Sequence, residues 1–314
     1  MSERVLVTGT TGFIGSAVLR ALVERGETDL IALVRTPEAE ASLPRGVLGV
    51  RGDLRFPESL RGICDGTDAV VHCAAYVGSD PGLCETINRT GTGYLLAEAL
   101  RAGVSRTVCL STASVYGSGP HRGLRESGAV PAPVSVTSES RLAAETAVRE
   151  AGGMAVRPHL VHGRGDRWVV PALAVLFRVI PGWVDGGAAR TSMIHVDALG
   201  RAIAVLAARP DTWRPGAVYH AAHPEAPSMR TLADSLARHL GVVVPSGGVS
   251  RAAALEQVRA AGLRERHLEM LTVDHWYDSA ALWDATGCAP GPRFDAALGA
   301  DSAWYANHLG GGRG

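Results

Sequence analysis

The sequence of 314 residues predicts an α/β fold, in which a doubly wound parallel sheet is joined to a smaller C-terminal lobe that interleaves with the sheet along the chain. Three observations predict it. Short apolar runs alternate with longer helical patterns, three glycines stand between the first run and the first helical pattern, and from about Gly163 prolines and glycines break the pattern. Such alternation is typical of parallel strands joined by right-handed crossovers.

The apolar runs predict five buried strands, at residues 5–8, 29–34, 69–73, 107–111 and 154–157. The helical patterns between them begin near Gly12, Leu83 and Ser140. We expect segments 192–196 and 217–221 to return to the sheet as strands. Helices at 231–240, 251–261 and 279–286 are expected to complete the smaller lobe.

The composition limits the class of partner. The chain has 31 basic and 31 acidic side chains, so no net field attracts nucleic acid or an anionic membrane. No apolar run reaches the roughly 18 residues of a membrane span, and no secretory signal pattern opens the chain. We expect a cytoplasmic protein that binds a small molecule. The five cysteines form no CxxC pair, which favours free thiols over disulfides.

The glycines of the first turn predict a dinucleotide site of Rossmann type. Gly9 permits a tight turn, Gly12 lets the backbone approach a pyrophosphate, and Gly15 lets the helix pack closely on the strand. The free N–H groups at the helix N-terminus suit the phosphates. The same loop supplies three more expected cofactor contacts, Thr11, Phe13 and Ile14.

The end of the second strand indicates which cofactor is preferred. An acid at this place would bind the ribose hydroxyls of NAD. The sequence instead has Arg35, whose guanidinium suits a 2′-phosphate, so we expect NADP(H); the alternative is an ordinary surface arginine. No metal site is expected, because His159 and His162 lack a visible third ligand.

Further motifs resemble the extended short-chain dehydrogenase/reductase family over nearly the whole chain. They stand at residues 52–54, 70–75, 88–92, 111–117, 157–163 and 194–197. The resemblance implies cofactor contacts after the third, fourth and later strands, at Asp53, Leu54, Ala74, Ala75 and Pro158. Members of the family often dimerise, so a homodimer is possible.

The break in the sequence pattern near Gly163 also predicts a division of the chain. Residues 1–165 would form the NADP-binding domain, with returning segments near 190–222. Residues 166–309 would mainly form the substrate-binding lobe, and 310–314 a disordered tail.

The catalytic segment departs from the family pattern of Ser/Thr, Tyr and Lys. Thr112 falls on the hydroxyl position, whereas Thr137 and Arg141 stand where the family has Tyr and Lys. The chain contains no lysine, so no other register supplies the usual pair. An aliphatic hydroxyl is too weak an acid to replace a phenol, so Thr137 is not a plausible proton donor. Arg141 either holds the nicotinamide ribose or faces outward.

Several side chains are candidates for substrate contact: Tyr76, Ser114, Tyr116, His162, Trp168 and Met193. Each has a structural alternative. Tyr76 could pack in its loop, and Tyr116 is more typical of a structural role in its turn. His162, Trp168 and Met193 could equally pack in a core, as could Trp183.

These features favour an NADPH-dependent ketoreductase that takes its proton from water or from the substrate. The unusual site is similar to the atypical ketoreductases that tailor aromatic polyketides such as angucyclinones in antibiotic biosynthesis, which implies an aromatic ketone as substrate. A catalytically silent NADP(H)-binding sensor is one alternative. A nucleotide-sugar epimerase or dehydratase is another, although Arg190 is only an offset candidate for its diphosphate.

Overall fold

Parallel strands organise the computed structural model, which describes residues 3–26 and 28–310. The strands are β1 (Glu3–Thr8), β2 (Thr28–Val34), β3 (Val47–Arg51), β4 (Ala69–His72), β5 (Arg106–Leu110), β6 (His121–Leu124), β7 (Met154–Pro158), β8 (Leu160–His162), β9 (Met193–His195), β10 (Val218–Ala221) and β11 (His275–Tyr277). Within these residues, one sheet has seven parallel strands in the order β10-β7-β5-β4-β1-β2-β3. The predicted α/β fold class is confirmed.

Helices cover this sheet and build the smaller lobe. They are α1 (Phe13–Arg25), α2 (Pro37–Ala41), α3 (Pro81–Leu83), α4 (Gly91–Arg101), α5 (Val136–Glu150), α6 (Val169–Val179), α7 (Val196–Ala208), α8 (Met229–Leu240), α9 (Arg251–Ala260), α10 (Glu265–Thr272), α11 (Ala280–Thr286) and α12 (Phe294–Gly310). A π-helical segment, Cys84–Thr90, leads into α4. Helix α5 begins four residues before the predicted Ser140, because Ser135 and Ser138 form a capping box at its N-terminus.

The order of the strands creates a crevice beside β1. The chain runs from β1 to β2 and β3 on one side, and then crosses to β4 on the other side of β1. The loops that follow β1 and β4 therefore diverge at the carboxyl edge of the sheet. In open α/β sheets, ligands bind at such a topological switch point.

One apolar core joins the sheet to α1 and α7. The two helices can pack closely because Gly200 has no side chain, and a Cβ there would lie 2.8 Å from the backbone of Ala17. Helix α11 belongs to this core. Its Leu282 and Trp283 are buried there, and the Trp283 indole donates to Ala222 O at 2.9 Å. The prediction that this helix completes the smaller lobe is therefore wrong.

A second core lies among α6, α8, α9, α10 and α12, where Phe177, Leu236 and Tyr305 are buried. Strand β9 pairs with β8 in a separate two-stranded sheet. The prediction that segment 192–196 returns to the main sheet is therefore wrong, whereas segment 217–221 does return, as β10 beside β7. The pairing of β7 with β10 ends at Pro158, and the next strand, β8, pairs with β9 instead.

The remaining expectations concern the tail, the cysteines and membranes. Gly310 is the last residue of α12, and 311–314 lie outside the described residues. All five cysteines are free thiols, as predicted, and burial raises the pKa of Cys64, Cys73 and Cys109 to about 12. Among the described residues, no helix is both long enough and apolar enough to cross a membrane.

Candidate cofactor and active site

A cleft of about 310 Å³ opens at the carboxyl ends of β1 to β4. Residues from four separate loops meet there, although they are far apart in sequence. The cleft includes many of the predicted contact residues, namely Gly9, Thr11, Gly12, Arg35, Asp53, Leu54, Ala74, Ala75 and Tyr76. The sheet therefore brings the predicted motifs to one place.

The glycine loop has the geometry of a phosphate cradle. Gly9 adopts φ +74°, and a Cβ there would lie 2.7 Å from Ala74 N. A Cβ at Gly15 would overlap the carbonyl of Gly9. Gly12 caps α1 without any side-chain hydrogen bond, which leaves the first-turn N–H groups to bind an anion. These residues fit the pyrophosphate of a dinucleotide.

Three other predicted cofactor contacts, at Phe13, Ile14 and Pro158, lie outside the lining of the cleft. The Phe13 ring packs beneath the loop after β8, since a Cβ at Gly165 would lie 2.9 Å from it. Ile14 packs against the core around α1. Pro158 is buried at the end of β7, outside the lining of the cleft.

At the other end of the cleft, Asp53 lies between two arginines. Arg55 Nη2 donates to Asp53 Oδ2 at 2.7 Å, and this hydrogen bond holds the pKa of Asp53 below its usual range. The charge of Arg35 acts in the same direction. Arg35 is exposed at the end of β2, and the structure gives it no hydrogen bond or ion pair with any described residue. Its guanidinium is available to a ligand in the cleft.

His72 holds the loops of β1 and β4 together, a role that was not predicted from the sequence. Its Nδ1 lies 2.8 Å from Thr8 Oγ1, its Nε2 lies 2.9 Å from Thr92 Oγ1, and Ala74 N donates to Thr8 Oγ1 at 3.1 Å. Burial lowers the pKa of His72 to about 3, and Arg141 adds to this effect. The neutral imidazole therefore fixes one side of the cleft.

Asn88 has a similar role one turn before α4. Its Oδ1 accepts from Tyr76 N at 2.7 Å, and its Nδ2 donates to Tyr76 O at 3.0 Å and to Ser140 Oγ at 2.9 Å. The side chain thereby joins the loop after β4 to α5. The motif at residues 88–92 marks Asn88 in the sequence, but its spacing does not show that Asn88 bonds to Tyr76 and Ser140.

The three predicted catalytic residues have different environments. Thr112 caps a 3₁₀ turn by accepting from Ser114 N at 3.1 Å, and its own hydroxyl donates to no other described residue. Thr137 donates its hydroxyl proton to Gly78 O. Arg141 is buried and donates to Leu110 O, and burial lowers its pKa. The alternative of an outward-facing Arg141 is excluded, but the residue lies outside the lining of the cleft.

Beneath these residues lies a buried chain of hydrogen bonds. Arg157 pairs with Glu145, with its Nε donating to Glu145 Oε2 at 2.8 Å, and it also donates to the hydroxyl of Tyr116. Ser111 Oγ donates to Glu145 Oε2 at 2.5 Å. Tyr116 lies 2.6 Å from His220 Nε2, and burial raises its pKa. This tyrosine is held in the interior, in agreement with the structural role that is typical of its turn and not with the alternative of substrate contact.

Two more predicted substrate contacts also lie in the interior. Met193 is buried in the core of the smaller lobe, together with Trp183. The His162 ring packs edge-on against His195 and Phe294, and burial lowers its pKa to about 3. Strands β8 and β9 direct these side chains into that core, which is the packing alternative and not the substrate contact.

The last two candidates are exposed. Trp168 is 75% exposed before α6, and Ser114 is exposed in its 3₁₀ turn.

His159, by contrast, has both ring nitrogens buried without a hydrogen-bond partner among the described residues, and burial lowers its pKa to about 3. Among the described residues, no group of three or more His, Cys, Asp or Glu side chains could hold a metal ion. Tyr76 is the predicted substrate contact that the structure places in the cleft.

Curated relatives of this chain include two reductases. The chain is 32% identical over 257 residues to 2-alkyl-3-oxoalkanoate reductase of Stenotrophomonas maltophilia, a match that covers 76% of each protein. It is 34% identical over 204 residues to 4-hydroxy-2-methyl-3-oxo-4-farnesyl-3,4-dihydroquinoline-1-oxide ketoreductase of Stigmatella aurantiaca, covering 62% of this chain and 61% of that protein.

A solved structure has the same fold. The dTDP-glucose 4,6-dehydratase DesIV of Streptomyces venezuelae, solved with NAD and TYD bound, matches with a TM-score of 0.74 and 25% identity over 98% of each chain. The model of the NAD dependent epimerase/dehydratase family matches residues 5–222. The chain therefore belongs to the NAD dependent epimerase/dehydratase family, as an oxidoreductase with a site for a nicotinamide dinucleotide.

Proposed function

We propose that this protein is an NADPH-dependent ketoreductase that reduces a carbonyl of an aromatic polyketide-type molecule without the Tyr/Lys pair. One observation carries the proposal. The cleft keeps the cradle for a dinucleotide, whereas the hydroxyl at the tyrosine position, that of Thr137, is bound to Gly78 O. A site of this kind suits hydride transfer more than reactions that depend on a strong side-chain base.

The residues present fit the roles that such a reduction needs. When bound, a reduced nicotinamide dinucleotide supplies the hydride. The N-terminus of α1 binds the diphosphate, and Thr112 donates a hydrogen bond to the carbonyl oxygen. Holding the carbonyl against the donor supplies much of the acceleration. The proton comes from water or from a hydroxyl of the substrate itself.

NADP(H) is the proposed cofactor because of Arg35. Its guanidinium lines the cleft where the ribose of the adenosine would lie, and a 2′-phosphate would receive charge-assisted hydrogen bonds from it. Arg35→Glu should therefore weaken binding of NADPH by about tenfold to a hundredfold and leave binding of NADH within a few-fold. Arg45→Glu, on the loop before β3, is the control. Equal losses for both cofactors would refute the role in selectivity.

The proposed substrate class draws support from the relatives. The name of the Stigmatella aurantiaca enzyme describes a 3-oxo group on a dihydroquinoline oxide, and that of the Stenotrophomonas maltophilia enzyme a 3-oxo acid. Both carry a polar group near the carbonyl. A phenol or enol in such a position would donate a proton to the new alkoxide.

A nucleotide-sugar epimerase is the second candidate, because UDP-glucose 4-epimerase of Azospirillum brasilense is 33% identical over 158 residues. The geometry disfavours it. Arg190, its candidate for the diphosphate, stacks on Trp276 at 4.6 Å and donates to Ala226 O at 3.1 Å. The buried Arg141 also has no lysine-like amine to offer.

The deciding experiment follows NADPH oxidation by the purified protein with polycyclic aromatic ketones, nucleotide-sugar ketones and no substrate. We expect turnover with the aromatic ketones alone. Turnover only with nucleotide-sugar ketones would show that the enzyme reduces nucleotide sugars and would refute the aromatic substrate class. Tight binding of NADPH with no turnover of any ketone would establish the sensor.

A further inference from the structure

The loop after β4 holds a phenol at the edge of the cleft. Tyr76 lines the cleft, and both its backbone polar groups are bonded to the side chain of Asn88. Its hydroxyl makes no hydrogen bond to any other described residue. The backbone of this residue is therefore fixed, while its one titratable atom is left for a ligand.

Contacts at Gly78 fix the place of the ring. A Cβ at Gly78 would lie 2.9 Å from Tyr76 Cε1 and would overlap the hydroxyl oxygen. The carbonyl of the same Gly78 accepts the hydroxyl proton of Thr137. Tyr76 thus lies two residues along the chain from Gly78, whose carbonyl binds the hydroxyl at the family's tyrosine position.

The sheet also places the loop that carries Tyr76 next to the loop that carries Thr112. Strands β4 and β5 are parallel neighbours, with His72 opposite Cys109. Tyr76 follows the end of β4 and Thr112 the end of β5, so both lie on adjacent loops at the carboxyl edge. A carbonyl oxygen that accepts from Thr112 would therefore lie next to the loop that carries Tyr76.

We propose that Tyr76 is the catalytic acid that replaces the tyrosine missing from α5. This inference rests on the proposed ketone reduction and names the group that passes the solvent proton to the product. As the carbonyl carbon gains its hydride, the C–O π electrons move onto oxygen and the Tyr76 O–H bond breaks. Its proton joins that oxygen, giving the alcohol, and water then returns a proton to the phenolate. A phenol is far more acidic than a threonine hydroxyl or the alcohol product, so Tyr76 can protonate the new alkoxide without a stronger acid.

The first test is Tyr76→Phe, which removes only the hydroxyl. We expect kcat to fall by about 100-fold or more, with binding of NADPH and the midpoint of thermal unfolding unchanged. Tyr94→Phe, at a partly exposed tyrosine of α4, is the matched control and should keep full activity. A kcat of Tyr76→Phe within about threefold of the parent would overturn the proposal.

A ketone whose neighbouring hydroxyl is methylated distinguishes proton transfer from Tyr76 from proton transfer from the substrate. Wild type should reduce it at a rate similar to the parent ketone, and Tyr76→Phe should not. Loss of wild-type turnover on methylation would show that the substrate provides the proton, and would overturn the role of Tyr76. Gly78→Ala, which displaces the ring, should lower kcat more than it raises KM.

A readout independent of turnover keeps the two proposals distinguishable. Protein labelled with ¹³C at the tyrosine ζ carbon, with NADP⁺ added, should show one signal that moves when a ketone binds and that is missing in Tyr76→Phe. A ketone that binds without moving this signal overturns the inference alone. A shift without turnover refutes the ketoreductase and leaves Tyr76 as a ligand contact rather than an acid, whereas no binding of any ketone refutes both.

Discussion

The loops after β1 to β4 and helix α5, which packs on β5 and β7, differ in how closely they follow the family pattern. In the cofactor loops, backbone contacts define the site, and Gly9 and Gly15 stand where no Cβ fits. On α5, side chains define the site. There Thr137 and Arg141 are bonded to the backbone at Gly78 and Leu110. Cofactor binding is thus encoded in the backbone, while proton transfer depends on side chains that another residue can replace.

The largest effect should come from Gly15→Ala. The added Cβ would overlap Gly9 O in the turn that holds the diphosphate, and α1 would have to move. We expect binding of NADPH, measured by calorimetry, to weaken by at least about 100-fold, or the protein to fail to fold. Gly93→Ala is the control, because a Cβ there meets no atom within 4 Å. Equal binding in both variants would show that the glycine loop does not form the site.

Glu145→Gln tests the buried side-chain network. The carboxylate is fully buried against Arg157, so its neutralisation leaves a buried guanidinium without a counter-charge. We expect a loss of about 3–5 kcal/mol in the free energy of unfolding. Glu139→Gln, at an exposed position of the same helix, should change it by less than about 0.5 kcal/mol. Similar unfolding curves in urea would show that the ion pair has no structural role.

Buried neutral histidines predict a loss of stability in acid. Burial holds the pKa of His72, His159 and His162 at about 3, below the ordinary value of 6.5. Below about pH 6.5 these histidines bind protons in the unfolded chain but stay neutral in the folded chain. The stability present above that pH is therefore lost as the pH falls toward 3. Each histidine contributes about 1.4 kcal/mol per pH unit.

His162→Phe isolates one of these contributions. The slope of unfolding free energy against pH, from urea curves between about pH 4 and 6, should decrease by about 1.4 kcal/mol per unit. Any constant loss of packing shifts the whole curve without changing its slope. An unchanged slope would mean that His162 is protonated in the folded protein.

The sequence predicts the first of the two regions better for a physical reason. The roles of Gly9, Gly12 and Gly15 follow from local backbone geometry, so their spacing is enough to place the turn. Contacts such as Thr137 to Gly78, or Tyr116 to His220 at a separation of 104 residues, depend on how loops from different strands meet. For the same reason, the pairing of β9 with β8 was not readable from its apolar run.

Thr137→Val should have the smallest effect. It removes the hydrogen bond to Gly78 O, which costs about 1 kcal/mol of stability, while Thr137→Ser keeps a hydroxyl and serves as the control. Because Gly78 supports the ring of Tyr76, we expect kcat to fall by less than about tenfold. If kcat instead falls by about 100-fold in the valine variant and recovers in the serine variant, Thr137 itself takes part in proton transfer. The catalytic role would then have stayed at its family position on α5, and the contrast between the two regions would fail.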